Sequence, residues 1–170
     1  MPIRRTLAET WDFLDSLGWR MTRDDNGEPL LPTGMPNFDD DGRAGFSRFR
    51  SGLDADHPVG GLTLPRCFFG RSWFQRARFV NTDLHESRMC WNDFDECDFT
   101  DADLSGCDLR ASIFRRCKFV GARLWNANLR RSSIEGCDFT AADLSGAVIE
   151  KDKRSDWLDV LTAEQVASVA

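Results

Sequence analysis

The chain of 170 residues has no tyrosine, only two histidines, and no apolar run near the ~20 residues that a bilayer-spanning helix needs. Its start, Met1-Pro2-Ile3-Arg4-Arg5, is basic but leads to Glu9 and Asp12 rather than to an apolar signal core. The expectation is a protein of the cytoplasm with no membrane association. The six cysteines include no CxxC and no Cys/His spacing that suits zinc, so no metal and no cofactor are expected. His57 and His85 stand apart, and no Ser/His/Asp grouping, phosphate-cradling glycine loop or paired inward carboxylates accompany them, which speaks against an enzyme with catalytic residues. The run Asn37-Phe38-Asp39-Asp40-Asp41-Gly42 matches the first half of a calcium loop. The position that must supply a bidentate glutamate is Arg48, so the run reads as an acidic surface loop.

What the chain does have is a period of five. From Phe69 every fifth residue is apolar: Phe69, Phe74, Phe79, Leu84, Met89, Phe94 and onward without a polar interruption to Ile149. Two places before each sits a small residue, such as Cys67, Ser72, Ala77 and Thr82, with Asn92 the one departure. Neither 3.6 nor 2.0 divides this repeat, so neither an amphipathic helix nor a half-buried strand explains it. A short period sustained this long calls for a solenoid whose units bury their apolar faces by stacking on their neighbours. The absence of tyrosine beside 13 phenylalanines fits rings that fill apolar core slots.

Segments such as Ala102-Asp103-Leu104-Ser105-Gly106 and Ala142-Asp143-Leu144-Ser145-Gly146 resemble the pentapeptide repeat proteins, whose consensus is A(D/N)LXX. The resemblance implies an all-β solenoid, a right-handed quadrilateral β-helix with one pentapeptide per side and four per coil. Residues twenty apart then stack at about 4.8 Å. The sequence is consistent with this. One central column reads Phe79, Phe99, Phe119, Phe139 and the next reads Leu84, Leu104, Leu124, Leu144. A small-residue column reads Cys97, Cys117, Cys137. Five cysteines thereby occupy the small inward slot, where a free thiol behaves as a small hydrophobe. Cys90 alone falls in an outward position and is expected to be the one reactive thiol.

Three parts follow: a non-repeat head over 1–61, the β-helix over 62–149, and a C-terminal segment over 150–170. In the head, Thr6 and Glu9 have capping-box spacing ahead of Trp11, Leu14 and Leu17 on one helical face, with Gly18 as a stop. Asn26-Gly27 between Trp19–Met21 and Pro29–Leu31 reads as a hairpin turn. Solenoid ends expose an apolar cross-section and open strand edges, so a cap is physically required, and Phe38, Phe46 and Phe49 are candidates to cover the first coil. After Ile149, Thr162 and Gln165 again have capping-box spacing. A short helix there either plugs the last coil or pairs with a second copy as a homodimer.

The net charge of −6 belongs to the ends, because residues 62–149 carry 12 basic and 12 acidic side chains. Those charges are sorted by coil into ladders of alternating sign: Asp98–Lys118–Asp138, Asp103–Arg123–Asp143, Asp95–Arg115–Glu135 and Glu96–Arg116. The outward residues that no ladder explains are Trp91, Arg110, Trp125, Arg130 and Arg131, together with Trp73 and Ile113. Exposed Trp and Arg are enriched at interaction hot spots. The expected function is therefore a non-enzymatic protein–protein interaction module, a bacterial inhibitor or immunity protein being one version. The alternative comes from the resemblance. Some members of the family bind DNA gyrase, inhibiting it or protecting it from quinolones, by presenting an acidic rod that mimics DNA. A neutral rod with a basic middle fits that poorly, and direct nucleic-acid binding fits no better, since acidic coils flank the basic ones.

Overall fold

A computed structural model describes residues 3–18, 21–30, 59–68, 70–150 and 154–169. Trp19, the acidic run at 37–42 with Arg48, Phe38, Phe46, Phe49, His57 and Phe69 lie outside the described residues.

The repeat region is a right-handed quadrilateral β-helix. Its strand-bearing side is a parallel sheet of β1 (Trp73–Gln75), β2 (Asp93–Asp95), β3 (Ile113–Arg115) and β4 (Ser133–Glu135), paired in sequence order. The register is twenty throughout, as in Phe74↔Phe94↔Phe114↔Ile134. The other three sides pair by single parallel bridges at the same offset. They run Thr63↔Asp83↔Asp103↔Arg123↔Asp143, then Phe68↔Arg88↔Asp108↔Asn128↔Val148, and Arg78↔Asp98↔Lys118↔Asp138. We number the sides in chain order from the leucine column: side 1 (Leu84, Leu104, Leu124, Leu144), side 2 (Met89, Leu109, Leu129, Ile149), side 3 (the strands) and side 4 (Phe79, Phe99, Phe119, Phe139).

The corners explain the period. Every fifth residue from Gly61 to Gly146 has a left-handed backbone, with φ between +52° at Arg116 and +63° at Trp91 among the non-glycine ones. A left-handed L-residue costs roughly 1–2 kcal/mol, and hydrogen bonds made at the corner offset it. On most sides the residue after the corner donates back across a turn, as in Thr82 N–H to Phe79 O at 3.1 Å and Cys107 N–H to Leu104 O at 3.1 Å. The corner N–H itself donates to the next coil, as in Glu96 to Arg115 O at 2.8 Å. At two glycine corners a Cβ would meet a side-chain tip of the preceding coil: on Gly121 it would stand 2.6 Å from Asp101 Oδ1, and on Gly146 closer still to Asn126 Oδ1.

Inside the rod, two phenylalanine columns fill the core. Phe74, Phe94 and Phe114 stack at 4.9 and 5.0 Å, and Phe79, Phe99, Phe119 and Phe139 at 4.8, 5.0 and 4.6 Å, with planes within 7° of parallel. The columns meet each other edge to face, as at Phe114–Phe119, 5.4 Å and 73°. The small inward slot does more than avoid a clash. Its hydroxyls and thiols donate to the carbonyl 23 residues earlier: Ser112 Oγ to Met89 O at 2.9 Å, Ser132 Oγ to Leu109 O at 2.8 Å, Cys97 Sγ to Phe74 O at 3.4 Å, Cys117 Sγ to Phe94 O at 3.5 Å. Ser, Thr and Cys recur there because they are small and can satisfy a buried carbonyl. Asn92 uses the same slot differently: Nδ2 donates to Met89 O at 2.9 Å and Oδ1 accepts from Ser72 N–H at 2.9 Å.

Both ends are covered by described elements. α1 (Leu7–Ser16) starts at a full Thr6/Glu9 capping box and buries Trp11 and Leu14 in the rod's own core. It is tied to the first coil by Arg5 N–H to Gly61 O at 2.7 Å and Thr63 N–H to Thr10 Oγ1 at 3.0 Å. Leu17, grouped by spacing with Trp11 and Leu14, is the C-cap and is exposed, because the helix ends one residue earlier. The hairpin at Asn26-Gly27 is one antiparallel bridge, Arg23↔Pro29, with Gly27 left-handed. At the other end α2 (Arg154–Leu158) and α3 (Ala163–Ser168) lie on the last coil. Trp157 packs 5.9 Å from Phe139, and Gln165 Nε2 donates to Phe139 O and Ala142 O at 2.8 and 3.0 Å. Gly146 N–H donates to Ser168 O at 2.9 Å. These bonds satisfy edge groups that a further coil would otherwise take.

Candidate interaction surface

The charge ladders align as the register requires, but many of their carboxylates serve their own turn first. Asp98 accepts from Thr100 N–H and Oγ1 at 3.0 and 2.6 Å, and Asp138 from Thr140 at 2.9 and 2.6 Å. Asp103 and Asp143 accept from the N–H of Ser105 and Ser145. For Asp138 and Asp143 these side-chain and backbone bonds are the leading cause that holds the carboxyl below its ordinary range; at Asp103 burial works to raise the pKa, but the Ser105 bonds and the Arg123 charge outweigh it. Coil-to-coil ion pairs form at Arg66–Glu86 (2.7 Å), Arg116–Glu96 (3.3 Å), Arg123–Asp103 (2.9 Å), and between Arg116 and Asp95. Most of the rod's charge is thus committed to folding.

Side 2 departs from the expected pattern. Asp108 stands in an outward column but is buried, with two 2.8 Å hydrogen bonds from the Arg110 guanidinium and Arg88 Nε at 3.5 Å. Burial works to raise its pKa, yet the bonds from Arg110 and the charges of Arg110 and Arg88 outweigh it and leave the carboxyl below its usual value. Cys90, beside this cluster, was expected to be an exposed reactive thiol; it is fully buried, and burial followed by the nearby Asp108 charge pushes its pKa up to about 11. Outward register therefore did not mean exposure on this side. Phe68 makes the same point. Its ring lies against Gly70, where a Cβ would stand 2.5 Å from Cζ, and it is buried despite an outward column. The short side chains at Gly70 and Cys90 were the available signal.

The unexplained outward residues divide into two groups. Trp91, Arg110, Arg130 and Arg131 run along the edge between sides 2 and 3. Trp91 N–H donates to Arg110 O and Ala111 N–H to Arg130 O, each at 3.0 Å, so the four occupy three successive coils. Trp91 is 54% exposed, and Trp73, just around the edge on side 3, is 51% exposed. Arg131 has a 75% exposed side chain and a 3.7 Å approach to Glu150. Among the described residues the Arg130 guanidinium has no ion-pair partner. Trp125, also 54% exposed, stands apart on side 1, in a column with Ser105 and Ser145. His85 is on that side too, its Nδ1 2.6 Å from Asp83 Oδ1. Among the described residues no three His, Cys, Asp or Glu side chains converge as a metal site would need, and no helix is long and apolar enough to cross a membrane.

A family model for pentapeptide repeats matches residues 72–110 and 114–146 in eight copies. Among solved structures, the chain is similar to HetL, a pentapeptide repeat protein involved in heterocyst differentiation regulation in the cyanobacterium Nostoc sp. strain PCC 7120 (21% identity, TM-score 0.51, covering 53% of this chain and 41% of HetL). It is similar to Rfr23 from the cyanobacterium Cyanothece 51142 (22% identity, TM-score 0.42, covering 53% of this chain and 82% of Rfr23). It also matches QnrB1, a plasmid-mediated fluoroquinolone resistance protein (18% identity, TM-score 0.28, covering 52% of this chain and 48% of QnrB1). The chain thus spans about two-fifths of HetL, and that likeness is one of fold. No curated protein matches it in sequence.

Proposed function

The β-helix of this chain belongs to the pentapeptide repeat family, and from that premise we propose that it is a non-enzymatic protein-interaction module. Its partner is another protein, engaged by the surface of the rod, with Trp91, Arg110, Arg130 and Arg131 on one edge and Trp125 on side 1 as contact residues. The observation that carries the reading is the display of half-exposed tryptophans and arginines on a rod whose other charges are largely committed to ladders and turns. A rigid scaffold lowers the ordering cost of binding. The filled interior, stacked ring on ring, argues against a substrate cavity along the rod axis. Six free, buried thiols suit a reducing cytoplasmic setting.

The test is capture of a cross-linked partner by wild-type protein and by Trp125→Ala and Arg130→Glu variants. Both positions are exposed, so melting temperatures should stay near wild type while capture falls. Undiminished capture by both variants removes these residues from the interface. Gyrase is the specific alternative partner, to be tested by DNA supercoiling. Inhibition or quinolone protection lost on neutralising Asp95, Asp98 and Asp103, but not on changing Trp125 and Arg130, would replace this reading with DNA mimicry.

A further inference from the structure

The corner column between sides 2 and 3 reads Arg71, Trp91, Ala111, Arg131, one residue per coil. Large side chains precede and follow Ala111, whose methyl leaves a notch about two coil spacings long, or roughly 10 Å. Trp91 borders the notch on one side along the rod and Arg131 on the other. Across the edge, Arg110 precedes Ala111 on side 2, and Ile113 follows it on side 3 in the column of Trp73. The notch therefore has an aromatic wall, an apolar flank and the Arg131 guanidinium, with Arg130 beside it, while the Arg110 guanidinium is held by Asp108. Asp108 is turned into its cluster with Arg88 and Arg110 and is buried, so its charge does not face a ligand.

Resting on the interaction-module reading, we infer that this notch is a docking site for an extended acidic segment of a partner protein, one that presents a carboxylate beside an aliphatic side chain. The carboxylate meets Arg131 and Arg130, where guanidinium geometry favours paired hydrogen bonds. The aliphatic group packs on Trp91 and Ile113 over Ala111. Charge complementarity fixes the sign of the partner. Its identity as protein rather than nucleic acid follows from the adjoining coil, where Asp93, in register with Ile113, would oppose a continuous phosphate backbone, Asp95 and Glu96 being paired with Arg116.

The fold provides clean variants. Glu86 and Glu96 occupy left-handed corners with φ of +56° and +55°, so glutamate is tolerated at such positions. Ala111→Glu fills the notch with a repelling charge, Arg131→Glu reverses its sign, and Ala111→Gly leaves it open at a φ of +55° that glycine adopts freely. The probe is a blocked peptide of alternating leucine and glutamate, titrated into nitrogen-15-labelled protein while the indole N–H signals of Trp91 and Trp125 are followed. The expected result is a saturable shift at Trp91, weakened by salt and by about tenfold or more in Ala111→Glu and Arg131→Glu, and retained in Ala111→Gly. A lysine-for-glutamate peptide should not compete. An equal response to that peptide, or a Trp91 response indifferent to both glutamate variants, overturns the site. A response at Trp125 alone overturns the notch while leaving the module reading intact, and no response at either indole counts against both.

Discussion

Phe99 and Phe119 show how much one side chain carries in a rod with one core. Each is stacked on both sides within its column, at 4.6 to 5.0 Å, and meets Phe94 or Phe114 edge to face at 5.4 Å. Truncation opens a cavity that stacked backbones cannot close, so Phe99→Ala or Phe119→Ala should cost about 3–5 kcal/mol, read by urea denaturation. A midpoint equal to wild type would contradict the packed column. Cys90 gives a chemical test at the same scale. With a pKa near 11 and no exposure, it should resist a thiol reagent at neutral pH as fully as Cys97 does, and all six thiols should react together on unfolding. Rapid modification of one thiol in native protein would contradict this burial. Asp108 sets a pH dependence. Its folded pKa lies below the unfolded value, so its contribution is present above the ordinary carboxylate range and is lost as pH falls through the depressed folded value. Wild type should therefore lose more stability than Asp108→Asn between neutral pH and that acidic window, and parallel curves would remove Asp108 from the account.

At the scale of elements, the two ends use different devices for one problem. α1 covers the first coil with Trp11 and Leu14, whereas the last coil is closed by Trp157 and by the Gln165 amide. Gln165 has two roles, since its Oε1 also accepts from Thr162 N–H at 2.9 Å to complete the α3 capping box. Gln165→Ala should leave the Ala142 carbonyl without its donor and the Phe139 carbonyl with the Ala142 N–H alone, and cost about 1–3 kcal/mol. Trp157→Ala should cost more and fray the Phe139 coil first, visible as early hydrogen exchange there. Uniform exchange across all coils in both variants would show that the C-terminal helices do not hold the last coil.

For the whole molecule, the coil is the unit of stability. Each coil bonds mainly to the coils before and after it, so stability behaves as a sum of coil and interface contributions. Deleting residues 102–121 removes one coil and leaves every column in register, so this variant should fold cooperatively with a lower melting temperature. Deleting 102–111 removes half a coil and sets the strand-side Phe114 where Leu104 stood. It should fail to fold or melt far lower. Equal thermal stability of the two deletions, followed by circular dichroism, would show that the twenty-residue register is not what holds the rod.

The sequence by itself determined the repeat, its register and its core. A five-residue period and a twenty-residue column are properties of spacing, and a solenoid converts spacing directly into position, so spacing alone stacks Phe79, Phe99, Phe119 and Phe139. The capping boxes at Thr6 and Thr162 were legible for the same reason, being local. Tertiary structure decided what local spacing does not encode. It covered outward Cys90 and Asp108, made donors of the inward hydroxyls and thiols through carbonyls 23 residues away, and used Trp11 as the N-terminal plug. It also set Trp125 apart from the Trp91–Arg131 edge. Register fixes which way a side chain leaves the backbone, but its exposure depends on neighbours from other coils and on ion pairs such as Asp108 with Arg110, and these form only once the chain has wound.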